Sequence, residues 1–267
     1  MNEYYNKLSV EYDSLYIQNI IDFQNSMRER KNKNAYFVDF YPSFGTKNNE
    51  RLNFLVIGQA VNGWTSGFHL FDEIDNLKLL DSILSSNKYL KTKNFTPLDW
   101  VNVQWSRSIY NKHSKDNEIK NFYDGRYQPY KSLFWNITYK LISDYYSYDR
   151  DSFDWSKKLV WSNLYKIAPD GSNPDIFCKS IQSQLSIELI KKEIQELNPK
   201  YCIVLTNLNW WLPFRKGLQT KVMDFDRSFN KIESLEYYND TKIIITKRPM
   251  FASSENFVKQ ILKLIEA

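Results

Sequence analysis

Amides, aromatic rings and a guanidinium, rather than paired carboxylates or clustered cysteines, stand where the apolar runs of this chain end. The stretch "NFLVIGQAVNGW", residues 53–64, stops being apolar at Gly58 and continues through Gln59, Ala60, Asn62 and Trp64. A second run, "KLVWSNLYKIA", carries Asn163, and a third, "TKIIITKRP", leads into Arg248. A side-chain amide can read the hydrogen-bonding edge of a flat heterocycle, aromatic rings can sandwich its faces, and a guanidinium can meet an anion with several fixed donors. Asn163, Gln59, Asn62, Trp64, Phe68 and Phe71 supply the amides and rings for such recognition.

Other chemistries lack their residues. A phosphate loop needs a glycine-rich cradle ending in Lys and Ser or Thr, and a dinucleotide fingerprint needs three spaced glycines; "GQAVNGW" has neither. A serine hydrolase needs a Gly-x-Ser-x-Gly elbow and a partner histidine, and the only histidines are His69 and His113. A lone histidine makes a poor metal site, so both read as loop or surface residues. Cys178 and Cys202 have neither metal-ligand spacing nor the density of a disulfide scaffold, which points to a reducing cytoplasm. No secretory signal and no long apolar span is apparent, so no membrane association is expected, and neither a metal nor a cofactor. With 36 basic against 31 acidic residues, the net charge of +5 permits a polyanionic partner without demanding one.

The elements that would position these groups follow from periodicity. Leu8, Tyr12, Leu15, Ile20 and Phe23 are spaced as one face of an N-terminal helix that ends in the solvated "RERKNKN". "AYFVDFYPSFG" reads as an extended segment and "RLNFLVIG" as a strand apolar on both faces, the mark of a buried parallel strand. Helices are expected over 72–84, from Thr96 with Pro97 in its first turn, and over "YKSLFWNITYKLISDYY", which turns Leu133, Phe134, Ile137, Leu141 and Ile142 inward. Next come the strand "KLVWSNLYKIA", the loop "PDGSNPD" and a helix over "IQSQLSIELIKKEIQELN", ended by Asn198-Pro199. The strands "KYCIVLTN" and "TKIIITKRP" follow, and a last helix is capped by Ser253 or Ser254. Four apolar strands alternating with helices predict an α/β fold of three layers, α/β/α, around a central four-stranded, largely parallel sheet. One domain over 1–267 is expected, with an N-terminal helical extension over about 1–35. In open sheets of this kind ligands bind beyond the carboxyl ends of the strands, which gathers Gly58–Trp64, Asn163–Asp170, Thr206–Asn207 and Thr246–Ser253 around one crevice.

In that order the pieces resemble the uracil-DNA glycosylase superfamily. "FLVIGQAVNGW" is similar to the family's strand ending in a water-positioning loop. "WSKKLVWSNLYKI" places Asn163 where the family has its base-reading asparagine, and "KIIITKRPMFASSENF" is similar to its last strand and the His-Pro-Ser-Pro motif. The resemblance runs in order from about residue 52 to the C-terminus. It implies a pocket for a flipped pyrimidine, hydrolysis of its N-glycosidic bond without a metal, and DNA, single-stranded or modified, as partner to a monomer. Two departures stand out: Ala60 occupies the place of the water-orienting aspartate found in some members, and Arg248 replaces the motif histidine. Ala60 leaves room for a base larger than uracil, as carried by the DNA of an invading phage. The resemblance therefore implies either a glycosylase for a modified base or a superfamily member that binds nucleic acid or a nucleotide without catalysis.

On this reading Gln59 and Asn62 place water and base, Asn163 reads the base edge and Arg248 stabilises the leaving base. A replacement carboxylate could be Asp170, Asp72 or Glu73, and Asp170 is expected ahead of the other two, since it lies past the end of the strand bearing Asn163. Gly58, Ala60, Trp64, Phe68, Met250 and Ser253 complete the substrate-binding set. Each has an alternative. Gly58 can simply permit a tight turn, Asn163 can make a structural hydrogen bond, and Trp64 and Phe68 can be core. Arg248 can clamp a phosphate, Met250 with Phe251 can wedge a base stack or plug the last helix, and Ser253 is a capping group before it is a phosphate ligand.

Overall fold

The computed structural model describes residues 8–30, 35–45, 52–60, 67–73, 98, 101, 129–149, 154–250 and 253–266. Asn62, Trp64, His113 and Phe251 lie outside them, as do nearly all of the helices expected over 72–84 and after Thr96. Among the described residues the helices are α1 (Val10–Arg28), α2 (Leu133–Tyr146), α3 (Ile176–Leu197), α4 (Leu208–Leu218) and α5 (Ser254–Glu266). The strands are β1 (Tyr36–Asp39), β2 (Ser43–Phe44), β3 (Phe54–Ala60), β4 (Gly67–His69), β5 (Leu159–Tyr165), β6 (Ile167–Pro169), β7 (Tyr201–Val204), β8 (Lys221–Met223), β9 (Ile232–Tyr238) and β10 (Thr241–Thr246). None of the helices is long and apolar enough to cross a membrane, among the described residues.

The main sheet runs β2-β5-β3-β7-β10-β9-β8. Its inner strands β5, β3, β7 and β10 are the four apolar runs, and they pair parallel to one another. Such strands are apolar throughout because both faces are covered. Alternation sends Leu55, Ile57, Cys202, Val204, Ile243 and Ile245 into one core with α1, α3 and α4. It sends Phe54, Val56, Ile203 and Ile244 into a second core with α2 and α5.

The expected four-stranded sheet is corrected to seven strands. Antiparallel β2 pairs with β5 at one edge, and antiparallel β9 and β8 extend the other beyond β10. These flanking strands occupy backbone groups that the outermost parallel strands would otherwise present bare. A separate three-stranded antiparallel sheet, β4-β1-β6, was also not anticipated. It splits "KLVWSNLYKIA" in two: the chain leaves β5 after Tyr165, and Ile167–Pro169 pairs with β1 instead.

The N-terminal helix, expected as an extension, is built into the core. Tyr12, Tyr16, Ile20 and Phe23 of α1 are fully buried. Ser9 caps α1 by accepting from the Tyr12 N–H, while its own N–H and hydroxyl donate to the Glu196 carboxylate at 2.7 Å each, so α1 lies antiparallel along α3. Asp175 caps α3 by accepting from the Cys178 N–H at 2.7 Å.

Candidate site at the carboxyl edge of the sheet

Because β5, β3, β7 and β10 are parallel, their carboxyl ends share one edge, which carries Asn163, Gly58–Ala60, Thr206 and Thr246–Arg248. Gly58 and Asn163 are register partners across β3 and β5. A Cβ built on Gly58 would stand 2.5 Å from Asn163 Oδ1 and 3.6 Å from Phe134 Cε2. The glycine is therefore required by a close approach, the Asn163 side chain lying across it on the face covered by α2. Asn163 is 2% exposed, and its Nδ2 has no hydrogen-bond partner among the described residues. A buried amide donor left so costs about 1–3 kcal/mol, which a ligand acceptor would recover.

Behind Asn163 lies a charged clamp. Lys166 Nζ donates to the Asn163 carbonyl oxygen at 2.8 Å and to Ser162 Oγ at 2.7 Å, and pairs with Glu193 Oε1 at 2.5 Å, with both charged side chains fully buried. Tyr12 OH donates to the same Glu193 oxygen at 2.7 Å. Burial pushes the Lys166 ammonium below its ordinary range, against the opposing pull of Glu193. Burial pushes the Tyr12 phenol well up, and the Glu193 charge adds to it. Nearby, Tyr16 OH donates to buried Asp39 at 3.0 Å. Sequence reasoning passed over Lys166 and Glu193, and read Phe134 only as an inward-facing residue of its helix. The available signal was a lysine inside an apolar strand and a glutamate on the apolar stripe of α3, each needing the other.

The other expected residues fall as follows. Strand alternation turns Gln59 to the face opposite Gly58, so Gln59 and Asn163 do not form a pair of amides on one side of the sheet. Gln59 Nε2 is buried and lacks a partner among the described residues. Ala60 is half-buried at the end of β3. Arg248 is exposed just past β10, two strands beyond β3, hence roughly 14 Å from β5 at about 4.8 Å per strand spacing. Met250 is exposed, and Ser253 Oγ accepts from the Glu255 N–H at 3.3 Å, a cap for α5.

Two expected residues stand away from Asn163. Asp170 is exposed after β6, its N–H donating to the Tyr36 carbonyl, so it belongs to the smaller sheet. Phe68 is 5% exposed on β4, its ring stacked on Phe37 at 6.3 Å and edge-on to Phe23 at 6.5 Å. Its faces are taken up by the core, and Phe134 is the ring that flanks Asn163 in its stead. His69 lies in β4 rather than in a loop, exposed and edge-on to Tyr36. Phe71 is exposed with the Arg28 guanidinium over its ring. Among the described residues no three His, Cys, Asp or Glu side chains converge as a metal set.

Neither a protein-family model nor a curated protein sequence matches this chain.

Proposed function

We propose that the protein is a DNA base glycosylase, hydrolysing the N-glycosidic bond of a flipped, modified pyrimidine. The observation that carries this reading is the buried Asn163 amide at the carboxyl edge, its Nδ2 without a partner among the described residues, laid over a glycine beside the Phe134 ring. An amide so held is a preformed reader of a base edge, since it is buried and its main chain is fixed by Lys166. In the reaction, water adds to C1′ while the bond from C1′ to the ring nitrogen breaks and its electron pair leaves with the base, which takes up, through solvent, the proton that the water loses. Charge grows on the base, where the Arg248 guanidinium meets it. The small side chain of Ala60 leaves space for a substituent on the base.

The test is release of base from duplex and single-stranded oligonucleotides bearing uracil and bulky modified pyrimidines, read as alkali-labile abasic sites. Activity on at least one modified base is expected, and Asn163→Ala should lower it about 100-fold or more with the fold retained. No release from any oligonucleotide would overturn the reading.

A second reading, nucleic-acid binding without catalysis, is favoured by the place of Asp170, the nominated carboxylate, on the other sheet. It predicts binding that depends on Asn163 with no abasic product.

A further inference from the structure

The cations of this molecule are unevenly matched. Around α1 and α3, Lys192 pairs with Glu11 and Glu196, Lys191 with Glu188 and Lys166 with Glu193. At the other end, Lys231, Lys247, Arg248, Lys259 and Lys263 form no ion pair among the described residues. These five are contiguous. The Lys247 N–H donates to the Lys231 carbonyl at 2.9 Å, and the Lys231 N–H donates to Gln260 Oε1 on α5 at 2.8 Å. Lys231 Nζ stands 5.5 Å from the Phe257 ring and Lys263 Nζ 5.7 Å from the Phe229 ring. Aromatic faces thus hold two of the ammoniums without neutralising them. Lys259 and Lys263 are one helical turn apart on α5, where like charges repel. The acids of the adjoining loop are Asp224, paired with Arg227, and Asp226, whose carboxyl is held below its ordinary range chiefly by Ser228, with a smaller pull from Lys263.

From this row we infer that the start of β9, the end of β10 and the outer face of α5 form a docking surface for the phosphate backbone of DNA. A small anion would need several donors converging on one point. Separate cations strung from the sheet edge along a helix instead match a repeating polyanion. The row starts at Arg248, on the same sheet edge as Asn163, so a strand lying on it is led toward the buried amide. The inference rests on the nucleic-acid part of the reading above, though not on catalysis.

Fluorescence anisotropy of a labelled oligonucleotide against salt tests it, using the full chain. The triple variant Lys247→Glu/Lys259→Glu/Lys263→Glu changes only exposed side chains. It should bind at least about tenfold more weakly and lower the slope of log K against log salt by roughly 2 to 3, at about 0.9 per phosphate contact in duplex DNA. The control Lys200→Glu/Lys221→Glu, at the opposite edge of the sheet, should change affinity less than about threefold. Wild-type binding by the triple variant, an equal loss in the control, or capture by anionic lipid vesicles in preference to DNA would each overturn the inference. Base release with unaltered binding by the triple variant would remove this surface and leave the glycosylase reading. DNA binding lost in the triple variant, without base release from any oligonucleotide, would do the reverse.

Discussion

The seam between α1 and α3 and the surface formed by β9, β10 and α5 carry the same kinds of charged side chain and use them in opposite ways. In the seam, acids and bases interlock: Ser9 with Glu196, Lys192 with Glu11, Tyr12 and Lys166 with Glu193. On the other surface the exposed cations form no ion pair among the described residues, while a buried charge on the opposite face of the same strands is closely met. Glu236 on β9 accepts from Arg215, Thr220 and Trp211. The difference teaches that burial decides whether a charge must be matched, and that an unmatched charge persists only where water, or a polyanion, can answer it.

The sharpest way to break this comparison is to remove one member of the buried pair. Lys166→Met should lower unfolding free energy by about 3–5 kcal/mol, measured by urea denaturation, because Glu193 would keep only the Tyr12 hydroxyl and no cation in the core. The double variant Lys166→Met/Glu193→Leu should recover most of that loss; an additive loss would mean that packing, and not charge matching, governs the seam. Gly58→Ala comes next, at about 1–3 kcal/mol, since the new methyl meets Asn163 Oδ1 and the buried amide must move. On the glycosylase reading this variant loses base release along with stability.

Acid sharpens the comparison further. Burial alone would raise the Glu236 carboxyl, but donors from Arg215, Thr220, Trp211 and Ser234 outweigh it and hold it below its ordinary value near 4.5. A depressed carboxyl contributes stability that is present above the unfolded value and lost as pH falls through the folded one. The urea midpoint should therefore drop below about pH 4.5, and Thr220→Val should reduce the size of that drop by removing one donor. The smallest effects belong to exposed lysines. Lys192→Gln should cost at most about 1 kcal/mol, whereas Lys259→Gln should cost nothing or gain about 0.3 kcal/mol by relieving its repulsion with Lys263.

The four parallel strands were legible because burial on both faces leaves unbroken apolar runs, and α1, α2, α3 and α5 because their apolar spacing has a helical period. Helix α4 was not, for it contains Pro213 and its inward face is set by Trp211 and Phe214. Strand β9 was hidden by Glu236, whose burial only the fold explains, since its partners Arg215 and Trp211 lie on another element. The edge location of Gly58, Asn163 and Arg248 followed from strand order alone. The facing of Gln59 did not, because it depends on which residue of a short strand is in register with its neighbour. Phe68 and Asp170 were misplaced for one reason: nothing local announces that β4 and β6 leave the main sheet for a second one.

The clasp between Ser9 and Glu196 joins residues 187 positions apart. At a synthesis rate of about 5–20 residues per second, roughly 10–40 s pass between the emergence of one end and the other. Through that interval the aromatic face of α1 can meet Phe37, Tyr41 and Phe68 but not α3, so the side of the helix that α3 covers stays open on the nascent chain. A rearranged gene encoding α3 directly after α1 would shorten the wait and reduce aggregation during expression.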